Sequence, residues 1–449
     1  MPTPPTPRRW PLRLSALLLA GVVWLAGQGL AQATQDGNAK DPVAHWVQRH
    51  AKPLATTDPN APLGDLRPLR QLVGDAVVVG LGESPHGSHE QFTLKHRVVR
   101  LLVEQLGVRS LAMEEDWATG IELNRYVLTG QGDPTELVKG MGAPWNTQEV
   151  QAVLEWLRVW NTRHQDKVQF VGTDVFDTRP SVYDAVTGYV QQVAPQRLAE
   201  LERLFQLIRP TRPDWIAFFL TQVDDKQRYV DYARQAYELV AGIPHAPADR
   251  AHKLALQHAR QIVAFYEYYT LGQPNYRDRE IAHNLVWWHQ YTGDKVVYWA
   301  ANVHTANAPR MIATLPPDVL EFKAAGAYLR ERCGSRYVSI GMTFDHGAVN
   351  SGWGGPPFTI TPFQVPPPPS GFAERPLGEV DLPQYLLGLR TPAPPAVQSW
   401  LHAPAKIRVI GATYDPQDDA AHYMTGGSLA EWFDVIVHRQ EVTPSQLVL

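Results

Sequence analysis

Ala76-Val77-Val78-Val79-Gly80-Leu81-Gly82 runs directly into Glu83-Ser84-Pro85-His86-Gly87-Ser88, and this junction decides the architecture. The first run is apolar, rich in β-branched Val and continuous rather than alternating, the pattern of a strand buried on both faces. Ser88 with Gln91 three residues on reads as a helix N-cap, and Phe92, Val99, Leu102 and Leu106 follow at helical spacing. Further buried-strand patterns occur at Val108–Glu114, Val168–Thr173, Lys295–Ala301, Tyr337–Phe344, Lys406–Ala412 and Phe433–His438. Strands alternating with helices predict an α/β fold: a mixed or mostly parallel central sheet flanked by helices. Between Val182 and Thr270 no strand pattern occurs. Arg197–Ile208, Lys226–Val240 and Arg250–Tyr269 instead carry apolar residues at helical spacing, predicting a helical cap or insertion over residues 181–270. The Gly- and Pro-rich stretch Gly352–Pro369 reads as a stiff loop at a sheet edge or cleft.

Residues 1–33 read as an export signal rather than as part of this fold. Arg8, Arg9 and Arg13 precede an apolar run from Leu14 to Leu25, and Ala31-Gln32-Ala33 gives a small-x-small cleavage pattern. The expected mature chain, residues 34–449, is one domain, periplasmic or secreted. Losing three Arg and no acid takes the formal charge from −4 to −7, which argues against a nucleic-acid partner. No second stretch is long and apolar enough for stable membrane insertion. Cys333 is the sole cysteine, so no intramolecular disulfide forms despite export, and its position before a strand suits a structural thiol better than a nucleophile. Burial alone must hold the chain together, which its length permits.

The chemistry gathers at strand ends, where side chains of α/β sheets face the ligand crevice. Glu83 and His86 lie three apart across a Gly-rich turn, close enough for the acid to fix the imidazole's tautomer and raise its basicity. That pairing suits general-base activation of water, although such a turn taken alone is more often structural. The second strand stops at Glu114, and the run Lys295–Ala301 leads into Asn302-Val303-His304, again polar groups at a strand end. Arg277 sits at a helix start, a place that holds an anion or oxyanion.

These segments, in this order, resemble the erythromycin esterase family. Its pattern is G-E-x-x-H-G, a helix with L-K-x-R, a strand ending in Glu, an R-D-x-x-x-A-x-N helix and W-A-x-N-x-H. The sequence supplies Gly82-Glu83-Ser84-Pro85-His86-Gly87, Leu94-Lys95-His96-Arg97, Glu114, Arg277-Asp278 with Ala282 and Asn284, and Trp299-Ala300-Ala301-Asn302-Val303-His304. Gly172-Thr173-Asp174, Gly411-Ala412-Thr413-Tyr414 and Phe433-Asp434 also fit, so the resemblance spans about residues 70–440. It implies a carboxylic ester hydrolase that opens an ester or macrolactone with no cofactor and no metal. His86 would be the base, Glu83 and Glu114 the acids that orient it, and His304 the acid for the departing alkoxide. Lys95, Arg277 and Asn302 would meet the substrate, with Arg277, Lys95 or backbone N–H groups near Gly87 on the oxyanion. One position departs from the family: Ala301 stands where a His is common. Either His304 or His89 covers that role, or the substrate differs from a macrolide.

Two rivals belong beside this reading. Glu83, His86, His89, Glu114 and His304 form a conceivable metal-ligand set, though none shows a recognised zinc spacing. A non-catalytic periplasmic binding protein would also suit export and 14 Trp. A serine hydrolase is disfavoured, because no Gly-x-Ser-x-Gly elbow occurs.

Overall fold

Val78 and Val79, neighbours in one strand, pack into different hydrophobic cores, because successive side chains of a strand point to opposite faces. The same division separates Ala112 from Leu111, Val171 from Phe170 and Val296 from Val297. Each face of the sheet therefore carries its own helical layer. Tyr183, Leu204, Ile262 and Leu285 cover one side, while Phe92, Val99, Leu102 and Leu154 cover the other.

The computed structural model describes residues 41–352 and 359–448. The expected export signal lies outside the described residues, as does part of the Gly- and Pro-rich stretch. Thirteen strands are seen among the described residues. They are β1 (Lys52–Pro53), β2 (Val78–Leu81), β3 (Val108–Asp116), β4 (Gln169–Asp174), β5 (Lys295–Trp299), β6 (Met311–Leu315) and β7 (Asp318–Phe322). Then come β8 (Tyr337–Ser351), β9 (Thr361–Val365), β10 (Gln384–Gly388), β11 (Ile407–Arg408), β12 (Tyr423–Thr425) and β13 (Val435–Val442). The central sheet has the order β1-β10-β13-β8-β2-β5-β3-β4, with β9 paired to the far end of β8. From β13 to β4 every pairing is parallel, while β1, β10 and β9 pair antiparallel. The sheet is mixed, mostly parallel and flanked by helices.

Two expectations need correction. Of Lys406–Ala412 only β11 is a strand, and it joins a second antiparallel sheet, β11-β12-β6-β7, rather than the central one. Arg408 in that run is buried and turned to Asp419, so its β-like neighbours do not extend a ladder. The expected loop Gly352–Pro369 contains β9. Pro362 is tolerated there because β9 pairs on one side only.

Between β4 and β5 lie the helices Pro180–Val193, Leu198–Ile208, Trp215–Gln222, Lys226–Ala241, Arg250–Leu271 and Tyr276–Thr292, with no strand among them. Among the described residues no helix is long and apolar enough to cross a membrane.

Candidate active site

Parallel pairing explains why residues far apart in sequence meet. β2, β5, β3 and β4 are consecutive parallel neighbours, so their C-terminal ends lie along one edge. That edge carries Glu83 and His86 after β2, Glu114 near the end of β3, Asp174 at the end of β4 and His304 just past β5. A cleft of about 620 Å³ opens above it, with His86, Glu114, Arg277, Asp278 and His304 among its lining groups.

The turn after β2 is fixed from several sides. Ser88 caps the helix His89–Leu106 through the backbone N–H of Gln91. The carbonyl of Gly87 accepts from Asn350 N at 3.0 Å and from Ser445 N at 2.9 Å, and His89 N donates to Thr443 O at 2.9 Å. Thr443 in turn donates twice to the Glu90 carboxylate. A Cβ at position 87 would collide with the Asn350 backbone, so this approach requires glycine.

His86 Nδ1 lies 3.0 Å from Glu83 Oε1. Engaging Nδ1 assigns the tautomer and leaves Nε2 as the nitrogen free to take a proton. The second oxygen of Glu83 lies against the Lys95 ammonium, and both side chains are fully buried. Lys95 also donates to Ala300 O at 3.1 Å and stands over the Trp299 ring. Burial pulls the His86 imidazole below its usual value; Glu114 opposes this, and His304 and Arg277 add to it. The ring is therefore neutral near pH 7, as a base must be.

A second cluster surrounds Glu114. Its Oε1 lies 3.0 Å from Arg277 Nη2 and 3.2 Å from His304 Nε2, and its Oε2 accepts from Ala301 N at 2.9 Å. His304 Nδ1 lies 2.9 Å from Asp278 Oδ1, which also accepts from Ala325 N at 2.8 Å. Burial alone would lower His304, but Asp278 and Glu114 on its two ring nitrogens raise it to about 10. Burial would raise Glu114, yet His304, Arg277 and His86 hold it well below the usual carboxylate range. Arg277 is further clamped by both oxygens of Asp174. Near pH 7 the site thus presents one neutral imidazole beside one imidazolium.

The structure brings Glu83, His86, Glu114, Arg277 and His304 together and sets two expected groups apart. Lys95, expected to meet the substrate, is fully buried against Glu83 and is not among the groups lining the cleft. Asn302 is also buried and absent from the cleft lining: its Nδ2 donates to Met342 O at 2.7 Å and its Oδ1 accepts from Met342 N at 3.1 Å, binding the turn after β5 to β8. His89, expected as a stand-in for the absent residue-301 imidazole, pairs with Glu149 at 2.6 Å instead. Asp278 and Tyr268–Tyr269 were not singled out by sequence. Asp278 had a signal, its place beside Arg277 in the R-D pair; the tyrosines had none. Glu83, His86 and Glu114 offer ligand atoms within 4.8 Å of one another, so these three are the set that a metal would use.

Comparison with known proteins identifies the lineage. The sequence model described as erythromycin esterase matches residues 103–442. The chain belongs to the erythromycin esterase family. The erythromycin esterase type II of Escherichia coli is 32% identical over 130 residues, 29% of this chain and 31% of that protein. YbfO of Bacillus subtilis (strain 168), provisionally named a hydrolase, is 23% identical over 98% of this chain and its own full length. A Bacillus cereus protein of solved structure aligns with TM-score 0.80 at 30% identity, covering 90% of this chain and 98% of its own. The erythromycin esterase EreC, in an open conformation, shares the fold with TM-score 0.67 at 16% identity, over 88% of this chain and 98% of its own. Family membership supports a hydrolase with a small-molecule substrate.

Proposed function

We propose that this erythromycin esterase family member hydrolyses a carboxylic ester or lactone with water activated by His86, without a metal. The carrying observation is the meeting of Glu83, His86 and Glu114 within 4.8 Å, with His86 and Glu114 lining the cleft and Glu83 buried behind them. Glu83 holds the imidazole, and Nε2 takes a proton as the water oxygen bonds to the carbonyl carbon. The oxyanion then lies beside the Arg277 guanidinium and the His304 imidazolium, charges already fixed in place before reaction. On collapse the ester C–O bond breaks and the proton held by His86 passes to the departing alkoxide. His304, the expected acid for the departing alkoxide, has one N–H held by Asp278 and the other by Glu114, an arrangement that supports stabilising charge over releasing a proton. Export to the periplasm or medium, read from residues 1–33, belongs to the same proposal, and N-terminal sequencing of the secreted chain tests it.

The purified protein and His86→Ala, incubated with a panel of esters and lactones and followed by mass spectrometry, test the reaction. We expect substrate to gain one water with the native chain, and turnover to vanish in the variant at unchanged melting temperature. Full turnover by His86→Ala would remove the base from the mechanism.

The metal reading meets a specific obstacle. Both carboxylates of the candidate ligand set already face cations, Lys95 on Glu83 and Arg277 with His304 on Glu114. A divalent ion there would lie close to the Arg277 and His304 charges and would compete with Lys95, which burial pushes well below its ordinary value, for Glu83, at a cost that low dielectric magnifies. A strong chelator is expected to leave activity and melting temperature unchanged. Loss of both on chelation would instead assign Glu83, His86 and Glu114 as ligands.

A further inference from the structure

The catalytic groups occupy only the floor of the cleft, and one wall is apolar in an organised way. β6 and β7 form a hairpin in which Met311 pairs with Phe322, Ala313 with Leu320 and Leu315 with Asp318. Strand alternation places Met311, Ala313, Leu315, Asp318, Leu320 and Phe322 on one face of that hairpin; Ala313, Leu315, Leu320 and Phe322 line the cleft, and Val319 and the acid Glu321 also reach it from β7. The Phe322 ring lies 5.8 Å from the His304 ring, so the apolar face begins at the catalytic cluster. From there it runs outward to Leu320, which stays 48% exposed. Tyr268 and Tyr269, from the end of the helix Arg250–Leu271, also line the cleft, and Phe176, likewise 48% exposed, packs against both.

Leaving large apolar side chains in water is not what an isolated edge hairpin gains by. An exposed apolar strip that is continuous with a polar, charge-bearing floor is the arrangement of a ligand seat. We infer that the β6–β7 hairpin is the specificity wall of the cleft, and that the substrate is an ester or lactone whose body beyond the scissile carbonyl is uncharged and apolar, seated on Phe322 and Leu320. The inference takes its reaction from the hydrolase reading, while the seat rests on the hairpin alone. It names Leu320 as a residue that selects substrate without touching the reacting atoms.

Two esters of one alcohol separate the floor from the wall: p-nitrophenyl acetate, too short to reach Leu320, and p-nitrophenyl decanoate. In Leu320→Asp, kcat/KM for the decanoate should fall by about tenfold or more, the loss expected when one leucine's apolar contact is removed. The acetate should change by less than about twofold, and Leu320→Ala should fall between native and Asp for the decanoate. Leu320 is half-exposed, and an unchanged melting temperature confirms that the variants fold. Equal losses on both esters, or none on either, would overturn the inference. Calorimetric titration of the decanoate into His86→Ala, with and without Leu320→Asp, keeps the two readings distinguishable. Tight binding that Leu320→Asp weakens, with no turnover by the native chain, would keep the seat and remove the hydrolase. Turnover of the acetate without preferential binding of the decanoate would do the reverse.

Discussion

Replacing Asp278 by Asn removes one of the two carboxylates that keep His304 charged while preserving the shape of the side chain. Asn retains an oxygen for Ala325 N, so the helix junction should survive. In the native site Asp278 and Glu114 outweigh burial and bring the imidazole to about 10 from an ordinary 6.5. That difference corresponds to roughly 5 kcal/mol shared between the two partners. Asp278 is the larger favourable contributor, so its loss should bring the ring down toward the ordinary histidine range and remove a large share of that roughly 5 kcal/mol. The sign follows from linkage. A raised histidine pKa stabilises fully below the unfolded value of 6.5 and ceases to stabilise as pH rises through the folded one. The variant should therefore be less stable by a large share of that roughly 5 kcal/mol at about pH 6, and the difference should vanish above about pH 10. Urea unfolding at the two pH values measures this directly. The alkaline limb of kcat/KM, set by loss of the His304 charge, should move down from about 10 in step. An equal stability loss at both pH values, with the alkaline limb unmoved, would refute the claim that Asp278 holds the imidazolium.

Lys95→Met should leave the buried Glu83 carboxylate without its cation, costing about 3–5 kcal/mol. Turnover should fall with it as Glu83 takes up a proton, and chemical denaturation alongside ester assays reports both. Because burial lowers His86, the acid limb of kcat/KM should lie below the ordinary histidine value, so activity persists in mildly acidic buffer; a limb above 6.5 would contradict a buried neutral base. Gly87→Ala forces a methyl group against the Asn350 backbone and should destabilise by about 1–3 kcal/mol, seen as a lower melting temperature.

The stretch from Ala76 to Ser88 was legible because it states strand, turn and cap in consecutive residues. The convergence of Glu83, Glu114 and His304 was legible too, since parallel strands must end at one edge. What escaped the sequence was the use made of polar groups by tertiary neighbours. Asn302 looks like a ligand-facing amide at a strand end, and only the backbone of Met342 shows that both its polar atoms are already taken. Lys95 carried a readable warning. It lies on the same helical stripe as Phe92, Val99 and Leu102, so its side chain was directed at the sheet and needed a buried partner. The β6–β7 hairpin was missed because Pro316 and Pro317 interrupt its pattern and its outer strand is exposed. His96, between Lys95 and Arg97 in the L-K-x-R motif, is buried with neither ring nitrogen bonded, and burial lowers it to about 3.

The segment that secures the Gly87–Glu90 turn bears on when activity can begin. Thr443 reaches Glu90 across 353 positions, so the ribosome must travel that far past the turn before its anchor exists. At ordinary elongation speeds this interval is roughly 20–70 s. During that time β2 and its helix can form, but the imidazole rests on an unbraced loop. A growing polypeptide of this design stays inert until nearly all of its central sheet has been translated.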